Sequence, residues 1–260
     1  MTIEEQSHME SNIINEQREN KNQRKRHGSR NQHRHKLLMK YLLEKFPSSF
    51  RDAQDSSSHH ILDVAGGKGE LTARMTLCHS TNVVLVDPRV ADVLKVFQNT
   101  VFRSLPKKWQ EKISAQDSKD IAKKLDERFK QLIINFPMDG SKDFDIVKEL
   151  EKNYDLLQAV ENCTLMLGIH ADGATESIVD IALHYRKPFM VVPCCVFPNL
   201  FKDRMVPSGI DEDTFIPVRN HEQLCHYLAR KDSHFTIETL PFEGRNIAIC
   251  WDGTKKDGDE

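Results

Sequence analysis

The sequence predicts a single α/β domain on a mostly parallel sheet, with an antiparallel hairpin closing one edge near its C-terminus. Three observations predict it. Short apolar runs at Ile61–Ala65, Val83–Val86, Thr164–Ile169 and Phe189–Val192 alternate with stretches of helical periodicity. Glycines follow the first run at once, in Gly66-Gly67-Lys68-Gly69, which marks a tight strand-to-helix turn. The last two apolar runs, Phe235–Thr239 and Asn246–Trp251, flank the turn residues Pro241-Phe242-Glu243-Gly244 and read as a hairpin.

The elements follow in order. Residues 1–34 are polar and basic, with almost no apolar side chains beyond Ile13 and Ile14, and are expected to form a disordered tail because they cannot offset their ordering entropy by burial. From His35 onward, Leu37, Leu38, Tyr41, Leu42 and Phe46 make a helical stripe that Pro47 and two serines are expected to end. Ser57-Ser58-His59-His60 is a loop before the first strand. Leu71 to Leu77 resumes helix after the glycines, and Val90, Val93, Leu94, Phe97 and Val101 mark an amphipathic helix after the second strand. A helical, lysine-rich insertion is expected at about 105–130, carrying Lys107, Lys108, Lys112, Lys119, Lys123, Lys124 and Lys130. The third strand is predicted at Leu132–Phe136, followed by helices at Asp145–Leu157 and Thr175–Tyr185. Pro198 to Asn220 reads as a long loop and Glu222–Arg230 as a short helix. The domain therefore spans 35–252, with a second disordered tail at 253–260.

Composition narrows the setting. The chain has 260 residues, 38% hydrophobic and 29% charged, and its formal net charge of −2 hides a basic cluster from Arg18 to Lys40 and an acidic, polar C-terminal end. Six cysteines, at Cys78, Cys163, Cys194, Cys195, Cys225 and Cys250, show no C-x-x-C pair and no metal-finger spacing. They read as reduced thiols, which points to cytoplasm or nucleus. No apolar run approaches the roughly 20 residues that span a bilayer, so no membrane association is expected. The N-terminus has no apolar core for a secretory signal, and Glu4, Glu5 and Glu10 oppose a mitochondrial presequence.

The loop after the first strand carries the sharpest chemical signal. Glycines let backbone N–H groups approach a ligand, and the following helix adds a positive dipole end. A P-loop needs Ser or Thr after Gly-Lys, but Gly69 follows Lys68, and the dinucleotide pattern G-x-G-x-x-G is not matched either. The pattern acid-x-G-x-G-x-G fits better, with Asp63, Gly67 and Gly69 in register and Ala65 in place of the first glycine. Asp87, at the end of the second strand, stands where an acid meets ribose hydroxyls. An acid in the strand suits a cofactor whose far end carries an ammonium rather than a pyrophosphate.

Asp63-Val64-Ala65-Gly66-Gly67-Lys68-Gly69-Glu70-Leu71 resembles the first motif of class I S-adenosylmethionine-dependent methyltransferases, a Rossmann-like fold. Gly168-Ile169-His170-Ala171-Asp172-Gly173-Ala174-Thr175-Glu176 and Val192-Pro193-Cys194-Cys195 are similar to a branch that includes tRNA ribose 2′-O-methyltransferases. The likeness covers about His35 to Trp251. Ala65 departs from it, and the zinc-finger cysteines of some tRNA-modifying relatives are absent. The resemblance implies S-adenosyl-L-methionine as cofactor, held by Asp63, Ala65, Gly66, Gly67, Gly69 and Gly168, with Asp87 on the ribose and Asp139 beside the adenine. It implies RNA, tRNA above all, as the partner, bound through the basic tail and the lysine-rich insertion, and leaves room for a protein partner.

Three residues are candidates for the chemistry. His170 and Asp172 fall after the fourth strand, where ligands sit in parallel sheets, and a His or Asp there could deprotonate or align a ribose hydroxyl. His170 could equally shape the site or cap the next helix. Cys194 is a small hydrophobe on one reading and, on another, the nucleophile of C5-pyrimidine RNA methylation. A metal held by His170, Cys194 and Cys195 is a third option, without a ligand spacing to support it. The absence of an Asn-Pro-Pro-Tyr type segment speaks against methylation of an exocyclic amine. Alternatives to an RNA methyltransferase are a catalytically silent RNA-binding scaffold of the same fold and a methylase of proteins or small molecules. The basic tail reads as a phosphate-backbone contact, a nuclear import signal or a solubilising segment.

Overall fold

The computed structural model of the chain describes residues 34–254 except 116, 142 and 209–213. The expected tails at 1–34 and 253–260 lie outside these residues but for Arg34, Gly253 and Thr254. The strands are β1 (His60–Val64), β2 (Val83–Val86), β3 (Phe129–Leu132), β4 (Cys163–Ile169), β5 (Phe189–Val192), β6 (Met205–Pro207), β7 (Phe215–Pro217), β8 (Thr236–Thr239) and β9 (Ile247–Trp251). Seven of them form one sheet in the order β3-β2-β1-β4-β5-β9-β8, and β6 and β7 form a separate antiparallel ribbon. The first five strands run parallel. β9 runs antiparallel beside β5, with Phe189 opposite Trp251, and β8 closes the edge as its hairpin partner. The fold is thus the expected Rossmann-like α/β sheet, closed by the C-terminal hairpin read from its two apolar runs.

The helices are α1 (34–45), α2 (Pro47–Asp55), α3 (Glu70–Ala73, running on as a π-helical turn over Arg74–Cys78) and α4 (Val93–Val96, continuing through a π turn at Phe97–Val101 to Phe102–Ser104). They continue with α5 (Lys107–Ser114), α6 (Ser118–Arg128), α7 (Ile146–Glu151), α8 (Tyr154–Glu161), α9 (Thr175–His184) and α10 (His221–Ala229). Helices cover both sheet faces, which is why β1, β2, β4 and β5 read as nearly unbroken apolar runs. Leu62, Val64, Val84, Met166, Phe189 and Val191 pack on one face against Leu156, Val160, Ile178 and Ile181. Ile61, Leu165, Leu167 and Met190 pack on the other against Leu38, Leu42, Phe46 and Phe50. Ile113 of α5 and Leu125 of α6 join Leu77, Phe97 and Val101 in a smaller cluster that attaches the lysine-rich helices. Among the described residues no helix is long and apolar enough to cross a membrane.

Several boundaries differ from the sequence expectation. The third strand is Phe129–Leu132, not Leu132–Phe136, because β3 is an edge strand in which Leu132 alone is fully buried. The apolar run that suggested a strand lies past its end, where Ile133 is exposed. The first helix ends just before Pro47, as expected, but Pro47 and the two serines open α2 rather than a loop, since a proline at the first helical position gives up an N–H that had no partner there. The helix expected over Asp145–Leu157 is two, because Asn153 caps α8 with its side chain on the Leu156 N–H.

The strand order reverses between β1 and β4, so the loops after these strands open side by side at the carboxyl edge of the sheet, where ligands of such folds bind. Phe189 is wholly buried and meets Phe235 edge-on at 4.9 Å, which joins β5 to the hairpin layer. Phe189→Ala should cost about 3–5 kcal/mol, read as a shift in the urea unfolding midpoint at unchanged slope.

Candidate functional site

β1 carries Asp63 into the core with 1% of its surface exposed, and the Thr72 hydroxyl of α3 donates to its carboxylate at 2.7 Å. Burial pushes this carboxyl up to about 6, against the Thr72 hydrogen bond that favours the charged form. The loop then folds back over the acid. A Cβ at Gly66 would stand 2.5 Å from both Asp63 Oδ2 and Leu85 Cδ1, so no side chain fits there. Gly67 and Gly69 take left-handed backbone (φ +62° and +76°), and Gly69 leads into α3. Ala65 is also left-handed, at φ +54°, so the one departure from the glycine pattern sits where a Cβ is costly.

Asp87 follows β2 and is 1% exposed. Its Oδ2 accepts from the Gly67 N–H at 2.9 Å and Arg89 Nη2 at 3.1 Å, and its Oδ1 from the Arg89 N–H at 2.9 Å and Nε at 3.0 Å. Burial alone would raise its pKa, but Arg89 and the Gly67 N–H hold it below the usual carboxylate range. The acid expected to meet ribose hydroxyls therefore has its acceptor sites filled by Arg89, whose own side chain is 76% exposed. Sequence reasoning missed Arg89. Its position two residues after Asp87 carries no mark of where its side chain folds.

After β4 the backbone turns left-handed twice, at His170 (φ +57°) and Asp172 (φ +49°). Two such non-glycine residues in one short loop cost about 1–3 kcal/mol each and are the kind of strain that collects at functional sites. The backbone N–H of His170 donates to the Val192 carbonyl at 3.0 Å, while its buried side-chain Nε2 has no hydrogen-bond partner among the described residues. Burial, helped by Arg34 and His35, lowers its pKa to about 4, so the ring is neutral at pH 7. No side chain caps α9, so His170 does not serve as its cap. The Cys194 thiol donates to Asp172 Oδ1 at 3.1 Å and lies 3.4 Å from Cys195 Sγ. Burial and the neighbouring Asp172 push Cys194 up to about 12, so it is a thiol and not a thiolate.

The loop after β5 is held from behind. His221 Nε2 of α10 donates to the Pro193 carbonyl at 2.9 Å. Arg204, 5% exposed, donates to Glu176 at 2.6 Å and to the Val196 carbonyl at 3.0 Å, and lies 3.5 Å over the Phe201 ring. Lys231 bridges Glu176 and Asp180 at 2.8 Å and 2.7 Å. Burial opposes the charge on Glu176, but Lys231 and Arg204 outweigh it and keep the group below its ordinary range.

The structure brings Asp63, Ala65, Gly66, Gly67, Gly69 and Asp87 together, and separately Asp172 with Cys194. Gly168 sits in β4 itself, where an added Cβ would meet Ile178 Cδ1 at 2.5 Å and Val191 Cγ1 at 3.1 Å, so its missing side chain makes room for α9. Asp139 is exposed and accepts from the Ser141 N–H, in a cavity of about 240 Å³ shared with Glu176, Asp203 and Arg204.

No protein-family model matches the chain, and no curated protein matches it. Among solved structures it is similar to the C-terminal domain of precorrin-6Y C5,15-methyltransferase from Rhodobacter capsulatus, at 11% identity and a TM-score of 0.35 over 78% of this chain and 84% of that one. The methyltransferase CalO6 follows at 11% identity and a TM-score of 0.33, over 82% of this chain and 63% of that one. The glycopeptide N-methyltransferase MtfA, complexed with S-adenosyl-L-homocysteine, matches at 11% identity and a TM-score of 0.31, over 78% and 84%. Likeness at this level decides nothing about activity, and the fold rests on the strand order itself.

Two outcomes test the loop. Ala65→Gly should raise stability by up to about 1 kcal/mol, and Gly66→Ala should lower it, both read by thermal unfolding. For Asp63, the folded carboxyl keeps its proton up to about pH 6 while the unfolded one releases it near 3.8. The stability it contributes is complete below the lower value and is lost as pH rises through the upper one. Asp63→Asn, which keeps an acceptor for Thr72, should therefore match the wild type near pH 4 and exceed it by about 3 kcal/mol at pH 7. A difference that does not change with pH would count against this assignment.

Proposed function

We propose that the chain is an S-adenosylmethionine-dependent methyltransferase acting on RNA, with a tRNA ribose 2′-hydroxyl as acceptor. The observation that carries the reading is the convergence of the glycine loop after β1 and the acid after β2 at the point where strand order reverses. Those residues fit the cofactor. Gly67 offers a surface without a Cβ whose nearest neighbour would be Arg89 Nη2 at 3.7 Å, and Asp87 becomes available to ribose hydroxyls once the exposed Arg89 side chain swings away. The bound cofactor would supply an electrophilic methyl group. The chain's own part is to hold the acceptor in line with it, and the strained His170 and Asp172 loop is where that alignment would occur. A neutral His170 can accept a hydrogen bond from a hydroxyl, and its low pKa makes it a positioning group more than a strong base.

For an RNA acceptor, the support is the basic run from Arg18 to Arg34 together with the exposed Lys107, Lys108, Lys112, Lys119 and Lys123 on α5 and α6. Lys124 is not part of that surface, since it donates to the Leu77 carbonyl. The alternative of C5-pyrimidine methylation through Cys194 is weakened by its protonated thiol. A second reading, a catalytically silent RNA-binding module, draws on the Arg89 clasp that fills Asp87.

Calorimetry should show S-adenosylmethionine binding to the wild type and none to the Asp87→Ala, Gly67→Arg double variant. A wild type that binds no cofactor would end the methyl-donor reading. Nucleoside mass spectrometry of RNA from cells lacking the protein should then show one 2′-O-methylnucleoside missing. Cofactor-independent RNA binding with every modification retained favours the silent module.

A further inference from the structure

We propose that Asp172, Cys194 and Cys195 form a binding site for a thiophilic divalent cation of the zinc class. The donors come from two loops that leave adjacent parallel strands, β4 and β5, and one carboxylate oxygen and both Sγ atoms lie within 4.8 Å of one another. Cys194 Sγ is 3.1 Å from Asp172 Oδ1 and 3.4 Å from Cys195 Sγ. A tetrahedral zinc with bonds of about 2.3 Å to sulfur and 2.0–2.2 Å to oxygen separates such ligands by roughly 3.5–3.8 Å. The loops need open by only a few tenths of an ångström to admit the ion.

The donor set chooses the metal. Two sulfurs favour a borderline-soft ion over magnesium or calcium, and three protein ligands leave a fourth position for water. On binding, both thiols release their protons to solvent and two metal–sulfur bonds form. The dication, two thiolates and one carboxylate leave a net charge of −1 on the site. Arg34, close enough to act on Cys194, and Arg245, close enough to act on Cys195, offset that charge. Adjacent cysteines do not make a finger spacing, so the site exists only through the approach of Asp172. It requires neither a methyl donor nor RNA, although Asp172 also belongs to the loop assigned above to acceptor alignment.

Cobalt(II) titration of the full chain tests it, because thiolate-to-cobalt charge-transfer absorption reports sulfur ligation and ignores histidine-bound metal. One equivalent should develop the band and zinc should abolish it. Cys194→Ser with Cys195→Ser should lose it, and Asp172→Ala should weaken binding by at least the roughly tenfold that even an outer-shell change costs. Cys225→Ser should leave it unchanged, although Cys225 lies 3.7 Å from His221 Nε2. In the unmodified chain, zinc should shield Cys194 and Cys195 from iodoacetamide, read by peptide mass spectrometry. A wild type without the band, a band that survives the double cysteine change, or zinc that leaves both thiols as reactive as before would overturn the site.

Discussion

The carboxylate of Asp63 lies wholly inside the sheet and takes its hydrogen bond from Thr72, on the helix that follows the glycine loop. A buried charge-bearing group needs such a partner, and the partner fixes the helix against the strand. The chain between them must then pass directly over the acid, which leaves no room for a Cβ at Gly66. From that close passage follow the left-handed backbone at Ala65, Gly67 and Gly69 and the direction of the Gly67 N–H toward Asp87. One desolvated carboxyl thus sets the geometry of the whole glycine loop.

The other half of the site depends on a second, half-buried carboxylate. Glu176 receives Arg204, Lys231 and Tyr227, and so ties α9 to α10 and to the segment after β5. His221 adds a bond to the Pro193 carbonyl. These contacts hold Cys194 and Cys195 against Asp172, which reaches them through its own left-handed backbone. The two halves open at the same edge of the sheet because β1 and β4 are neighbours in it.

The sequence made the interior strands readable and the edge strand obscure. β1, β2, β4 and β5 are covered on both faces, so burial writes itself into a nearly unbroken apolar run. β3 has one hydrogen-bonded neighbour and reads Phe-Lys-Gln-Leu, a pattern that a flanking apolar run outweighs. Pro47 was ambiguous for a local reason, since proline both ends helices and begins them. At the site, the glycine loop was legible because steric exclusion at Gly66 and left-handed backbone at Gly67 and Gly69 demand one residue type. Arg89 was not, because an arginine after an acid carries no mark of where its side chain folds.

The sequence by itself determined the α/β class, the hairpin-closed edge, the glycine loop and the acids on either side of it, since each is a local demand of burial or backbone conformation on residue type. Tertiary structure decided what those acids face. Asp87 is bonded to Arg89, Asp172 is bonded to Cys194, and Gly168 makes room for Ile178. Asp172 and Cys194 stand 22 residues apart, and only the parallel pairing of their strands brings carboxylate and thiol within bonding reach.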